Sequence, residues 1–335
     1  MNRKALHAAS LLVLAVWSAG GMAQTSKPAS GAGGAANYPN ALIRFIVPFA
    51  PGSGNDTLAR RMGQLLSESF KQTVIIENQA GAGGIIGIAQ VTRAAPNGYT
   101  IGMGSTSTLG IGPYMQKEPP YDPVKDVAPV TLLATAPYIL ALHPKVPVST
   151  FAELLTYSRA NRGKLNYATA GIGTTPHLAA EVFNKQAGID WTHVPYKGAA
   201  PATAGAVAGE TQILYGPIVS TVPMLKSGQL KAVAMTGARR SPVVPDLPTF
   251  AESGFPGFEA SNWYGIVAPA RTPAAITERL HAEILRHLSS PEVRTQINND
   301  GAQILGSGPS EFAEFIRNES ERYKKVIKEL NLTVE

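Results

Sequence analysis

The chain has 335 residues, contains no cysteine and carries a formal charge of +6. Without cysteine there are no disulfides, thiol nucleophiles, thiolate metal sites or lipid-bearing cysteines. Its basic residues never form a run of four, so the mild excess suits small anionic ligands and argues against nucleic acid or membrane partners.

At the N-terminus Arg3 and Lys4 precede a short apolar run, Ala8 to Trp17, and then the small-residue pattern Gly21-x-Ala23. The run is far below the ~20 residues of a bilayer span, so residues 1–23 are expected to be a secretory signal peptide cleaved after Ala23. Loss of Arg3 and Lys4 with it lowers the charge from +6 to +4. Residues 24–38, small and polar without periodicity, are expected to be a flexible linker.

From Leu42 strands alternate with single helices. Ile43–Val47 is an apolar strand, and the helix after it places Leu58, Met62, Leu65, Leu66 and Phe70 on one face. Strands follow at Thr73–Glu77 and Tyr99–Met103, with a helix from about Gly84 into Ala94 between them. Two extended segments, Val127–Ala134 and Tyr138–His143, precede a capping box at Thr150 and Glu153 that opens the next helix. The alternation then resumes through Lys231–Met235, with a helix expected over Thr175–Gln186. A proline-rich stretch leads to a strand at Ala260–Val267 and two long helices, Pro273–Leu288 and Pro309–Leu330. This order predicts an α/β protein of two lobes, each a mainly parallel sheet flanked by helices. The expected boundaries give lobe 1 residues 39–128 plus 253–335 and lobe 2 residues 129–252, with crossings near Asp126–Val130 and Phe250–Phe258.

Two loops share one layout. PFAPGSGNDTLARRM (48–62) and ATAGIGTTPHLAAEV (168–182) each end a strand, pass small residues with two glycines, and start an amphipathic helix. If the lobes face each other, each presents a helix N-terminus to the cleft, where backbone amides and the helix dipole favour an anion.

Chemistry at these loops is poorly supported. Ser53 has glycine on both sides and lacks the G-x-S-x-G flanks of a nucleophile elbow. A dinucleotide fingerprint starting at Gly81 would need glycine at Ile86, and no Walker lysine follows either glycine loop. His177 and Glu181 share a helix face without a third ligand, so neither a metal nor a cofactor is expected. Asp56 has the position of a helix N-cap. What remains is reversible binding by glycine loops, by the hydroxyls of Ser53, Ser105, Thr106, Thr174 and Thr175, and by Lys197. A secreted hydrolase or isomerase using Ser53 or His177 is the alternative.

Several segments, in order, resemble one family: IRFIVPFAPGSGNDTLARR, VIIENQAGAGGIIG, APNGYTIGMGSTST, PPYDPVKDVAPVT, NYATAGIGTTPHLAAE, VPYKGAAPA, LKSGQLKAVAMTGARR and NWYGIVAPARTP. As a set they resemble the Bug receptors, periplasmic solute-binding proteins of tripartite tricarboxylate transporters (TctC-like). The resemblance implies a Venus-flytrap fold that takes a small carboxylate in the interlobe cleft. It implies no catalysis, a monomer in the periplasm, and delivery to membrane transporter subunits or a sensor kinase. Carried onto this chain, the first loop supplies Phe49, Ala50, Gly52, Ser53 and Gly54, with Asp56 at the helix start. The neighbouring glycine loop supplies Ala82, Gly83 and Gly84, and the third strand's end supplies Ser105 and Thr106. The second lobe supplies Gly173, Thr174, Thr175 and His177, beside Tyr196, Lys197 and Gly198. Two departures from the family pattern stand out: Ser53 replaces a middle glycine, and Tyr215-Gly216 follows QIL where an acid is common. The second favours a ligand without an amine, either a simple dicarboxylate or an aromatic acid stacked on Tyr215.

Overall fold

The computed structural model describes residues 37–332. The expected signal peptide and nearly all of the linker lie outside them. In chain order the first part holds β1 (Ile43–Val47), α1 (Gly54–Phe70), β2 (Val74–Asn78), α2 (Ile85–Thr92), β3 (Thr100–Ser105), α3 (Gly112–Met115) and β4 (Val127–Leu142). The middle part holds α4 (Phe151–Ala160), β5 (Asn166–Thr169), α5 (Thr175–Ala187), β6 (Thr192–Pro195), α6 (Ala199–Ala208), β7 (Ile213–Pro217), α7 (Ile218–Lys226) and β8 (Lys231–Met235). The last part holds β9 (Ser261–Pro269), α8 (Ala274–Leu288), α9 (Pro291–Asn299), β10 (Gln303–Ser307) and α10 (Pro309–Leu330).

The periodicities explain most of these elements. Leu58, Met62 and Leu66 bury one face of α1 against Ile43, Phe45 and Ile101. Phe312, Ile316, Tyr323 and Ile327 do the same for α10, recurring at helical spacing. Strand β4 is apolar on both faces because it runs through the middle of the molecule.

That strand also divides the fold. Over Val127–Pro137 it pairs antiparallel with β9, and over Tyr138–Leu142 it pairs antiparallel with β7 and β8. One sheet therefore runs β2-β1-β3-β9-β4, with β10 beside β4, and the other runs β4-β7-β5-β6, with β8 beside β4. The outer strands of both are parallel, as the strand–helix alternation predicts, while the strands next to β4 are antiparallel. The two extended segments expected around Ala134 and Tyr138 are thus one strand, and the lobe crossing lies at Pro137–Tyr138 rather than near Asp126–Val130. The return crossing is also later than expected. Phe250 and Phe258 stack with ring centroids 4.7 Å apart inside the second lobe, and only at Ser261 does β9 join the first sheet. Thr236 ties the crossings together, since its backbone accepts from Ala260 N–H at 2.9 Å and donates to Tyr138 at 2.9 Å.

Candidate ligand-binding site

The first loop is built around Asp56. Ser53 is the N-cap of α1, and its hydroxyl accepts the Asp56 N–H at 3.2 Å. Asp56 therefore lies in the first turn rather than at the cap position its sequence suggests. Its carboxylate reaches back to accept the Gly52 N–H at 2.9 Å and also accepts from Arg60 Nε at 3.0 Å and Asn78 Nδ2 at 2.8 Å. Burial pushes this carboxyl up, but Arg60, the Gly52 N–H and Asn78 outweigh it and hold it below its ordinary value. Both oxygens of the acid are thus committed to the protein.

The second loop is held by neutral groups. Thr174 is the N-cap of α5, and its hydroxyl donates to Gly171 O at 2.6 Å. His177 Nδ1 accepts the Gly173 N–H at 3.4 Å, and the ring stacks on His193 with centroids 4.3 Å apart. His193 Nε2 lies 2.7 Å from Thr169 Oγ1. Burial depresses the basicity of both rings, and proximity to His177 adds to the effect at His193, which falls to about 3.

These two helix starts converge on one inner pocket of about 30 Å³, lined by Ser53, Gly54 and Asn55 from α1 and by Thr174 and Pro176 from α5. Ser107, Tyr138, Asn262 and Tyr264 complete its wall. An outer chamber of about 620 Å³ continues from Phe49 and Ala50 along the loops Ala80–Gly84, Ala170–Gly173 and Pro195–Gly198. The first-turn amides of both helices have no acceptor within their own helices, and the dipoles of a 17-residue and a 13-residue helix add positive potential there. Among the described residues, no acidic or basic side chain lines the inner pocket, and Lys197 is the one cation along the outer chamber.

The lobes touch directly beside this pocket. Thr175 N–H donates to Ser107 Oγ at 3.1 Å, and Thr175 Oγ1 lies 3.4 Å from Asn262 Oδ1. Gly83, at φ +64°, sits so close to the other lobe that a Cβ would lie 2.8 Å from Ile172 O. Its neighbour Ala82 also has a positive φ of 46°, an unusual conformation for a residue with a Cβ. Leu178 of α5 adds an apolar contact with Ile111, Met115, Tyr323 and Ile327.

Most of the expected residues meet in this cleft: Phe49, Ser53, Gly54 and Thr174 at the inner pocket, and Ala50, Ala82, Gly83, Gly84, Gly173, Tyr196, Lys197 and Gly198 along the outer chamber. Others do not line it. Gly52 and Asp56 bond to each other, and His177 braces the second loop from behind. Ser105 and Thr106 are fully buried: Ser105 N–H donates to Thr108 Oγ1, and Thr106 Oγ1 accepts the Trp263 N–H. One turn of π-helix over Thr106–Ile111 rotates the chain so that Ser107 faces the cleft in their place. Tyr215 is 1% exposed inside the second lobe, edge-on to Tyr167, so its ring cannot stack on a ligand in the cleft. Residues the sequence reading missed are Asn55, Ser107, Tyr138, Asn262 and Tyr264. Asn55 and Asn262 lie inside the quoted motifs GSGND and NWYG, and their adjacency to those landmarks was the available signal.

The sequence profile described as "Tripartite tricarboxylate transporter family receptor" matches residues 58–332. The chain belongs to this family. Among solved structures similar to this TctC-type receptor is that of the periplasmic binding protein BugD, 30% identical, with a TM-score of 0.85 over 89% of this chain and 100% of that one. An R. palustris protein with adipate is 31% identical, with a TM-score of 0.86 over 88% of this chain and 99% of its own. MatC from Rhodopseudomonas palustris with bound malate is 33% identical, with a TM-score of 0.82 over 87% and 100%. The TctC-type receptor is thus a Bug-family periplasmic binding protein with a two-lobed α/β fold, among relatives that are receptors rather than enzymes. Among its described residues no helix is long and apolar enough to cross a membrane, and no cluster of three His, Asp or Glu could hold a metal.

Proposed function

We propose that this receptor captures a small carboxylate between its lobes and delivers it to the membrane subunits of a tripartite transporter or to a sensor kinase. It acts as a monomer in the periplasm, after cleavage near Ala23. The observation that carries this reading is the convergence of the α1 and α5 starts on one inner pocket free of charged side chains. Neutral donors and helix termini hold an anion firmly enough for capture and loosely enough for release. The adipate and malate in two relatives point to dicarboxylates of four to six carbons. Ligand spanning both loops favours the closed arrangement by its added contacts, and the lobes turn about Pro137–Tyr138 and Ala260–Ser261.

A thermal-shift screen of mono-, di- and tricarboxylates, aromatic acids and acidic amino acids tests this. A ligand at a hundred times its dissociation constant should add about 2.7 kcal/mol of stability. Stabilisation by at least one dicarboxylate is expected; a flat response across the whole panel would contradict the reading.

A further inference from the structure

The inner pocket, at about 30 Å³, has room for little more than one carboxylate group, since a water molecule's share of the liquid is itself about 30 Å³. The body of any larger acid must therefore lie in the outer chamber of about 620 Å³. The two spaces adjoin at Phe49 and Ala170, which line both.

Among the described residues, the polar side chains along the chamber are Gln116, Tyr196 and Lys197, and none is acidic. Tyr196 is already engaged, its hydroxyl donating to Glu210 Oε2 at 2.7 Å. Lys197 is exposed and takes part in no ion pair among the described residues. Its backbone, however, is fixed on both sides. Tyr196 N–H donates to Thr169 O and Gly198 N–H to Ala170 O, each at 3.1 Å. Gly198, at φ +123°, then carries the turn against the first lobe, where a Cβ would lie 3.4 Å from the Ala50 Cβ. The next residue, Ala199, opens α6 and lines the inner pocket. Lys197 is thus anchored at the seam between the lobes, close to the inner pocket, with its charge uncompensated by the chamber wall.

We infer that Lys197 pairs with the second carboxylate of the ligand and makes the receptor selective for diacids over monoacids of the same length. This rests on the carboxylate-receptor reading above and adds a specificity-determining residue to it. The helix starts serve the first carboxylate, whereas the rest of the chamber wall is backbone and small apolar side chains that supply no charge. A monoacid leaves the ammonium unpaired, and a ligand ammonium would meet a like charge with no acid to offset it.

Calorimetric titrations of the wild type, Lys197→Met and Lys197→Arg with the matched pairs succinate and butanoate, adipate and hexanoate test it, with competition titration for the weaker acids. In at least one pair the wild type should bind the diacid about tenfold more tightly, the worth of one charge-assisted hydrogen bond. In Lys197→Met that ratio should fall toward one through loss of diacid affinity, with monoacid affinity little changed. Lys197→Arg, which keeps the charge, should retain most of the preference. A wild type that binds monoacid and diacid equally overturns the inference and leaves the receptor reading standing, as does an unchanged ratio in Lys197→Met. Equal losses for both acids in that variant overturn it too, because the lysine would then serve closure rather than the second carboxylate. No binding of any of the four acids removes the receptor reading and this one with it.

Discussion

The two helix-start loops face the same pocket but are secured by different means. The α1 loop is fixed by a buried carboxylate with four protein contacts, from the Gly52 amide, Arg60 Nε and Nη2, and Asn78. The α5 loop is held by neutral groups alone: the Thr174 hydroxyl donates to Gly171 O, Thr169 Oγ1 accepts the Gly171 N–H, Ala170 O accepts the Gly198 N–H, and there is one long bond to His177 and a cross-lobe bond to Ser107. The α1 loop is thus tied by a charged network within its own lobe, whereas the Thr175–Ser107 bond of the α5 loop spans the two lobes and would be lost if they parted.

The comparison breaks most visibly at Asp56. Asp56→Ala strips the α1 loop of its charge-assisted bonds and should cost about 3 kcal/mol in urea unfolding, with loss of ligand affinity. A loss below about 1 kcal/mol would mean the loop is held by its turns alone. Gly83→Ala comes next. A new Cβ would meet Ile172 O across the cleft, so affinity should fall more than about tenfold, because closure itself is obstructed. Gly173→Ala, at a similar φ of +75° but with no atom nearer than 3.7 Å, should cost only backbone strain of about 1 kcal/mol in stability. Equal affinity losses for the two would show that strain, not contact between lobes, decides the outcome.

Acid should separate the loops again. The His193 ring titrates near 3 in the fold and at the ordinary 6.5 when unfolded, and His177 shifts the same way. Between those values the unfolded chain binds more protons, so stability falls as pH falls, by up to ~1.4 kcal/mol per pH unit for each fully shifted ring. Asp56 works at lower pH: its carboxyl is held below 3.8, so its contribution persists above that value and is lost only as pH falls through the folded value. His193→Asn should flatten the slope of unfolding free energy between pH 6 and 4, and an unchanged slope would place the titration elsewhere. An effect no larger than that of Gly173→Ala, about 1 kcal/mol, is expected for His177→Phe, which keeps the stack on His193 but drops the bond to Gly173. An effect as large as that of Asp56→Ala would erase the contrast between the loops.

Much of this was legible in the chain. The bounds of β1, β8 and α10 follow from local periodicity, and the Thr150–Glu153 capping box is formed as expected. The short α9 and β10 were not anticipated, because PEVRTQINN has only Val293 and Ile297 to bury and β10 has mixed exposure. The site was legible where backbone makes it, at Ser53–Gly54, Ala82–Gly84 and Gly173–Thr174. It was illegible where a tertiary partner decides. Nothing local says that a π-turn brings Ser107 rather than Ser105 to the cleft, or that β7 aims Tyr215 into the aromatic core. Asp56 shows the same limit, since its role depends on Asn78, which lies at the end of β2, beyond the helix that carries Asp56.

If two helix starts recognise negative charge with no basic side chain from the described residues in the inner pocket, calorimetric titration with a dicarboxylic acid that binds and with its uncharged diamide will separate the two ligands. One-site binding of the diacid is expected, with a loss of at least about a hundredfold for the diamide, close to 3 kcal/mol. Equal affinity for the two would show that charge is not what the helix starts read.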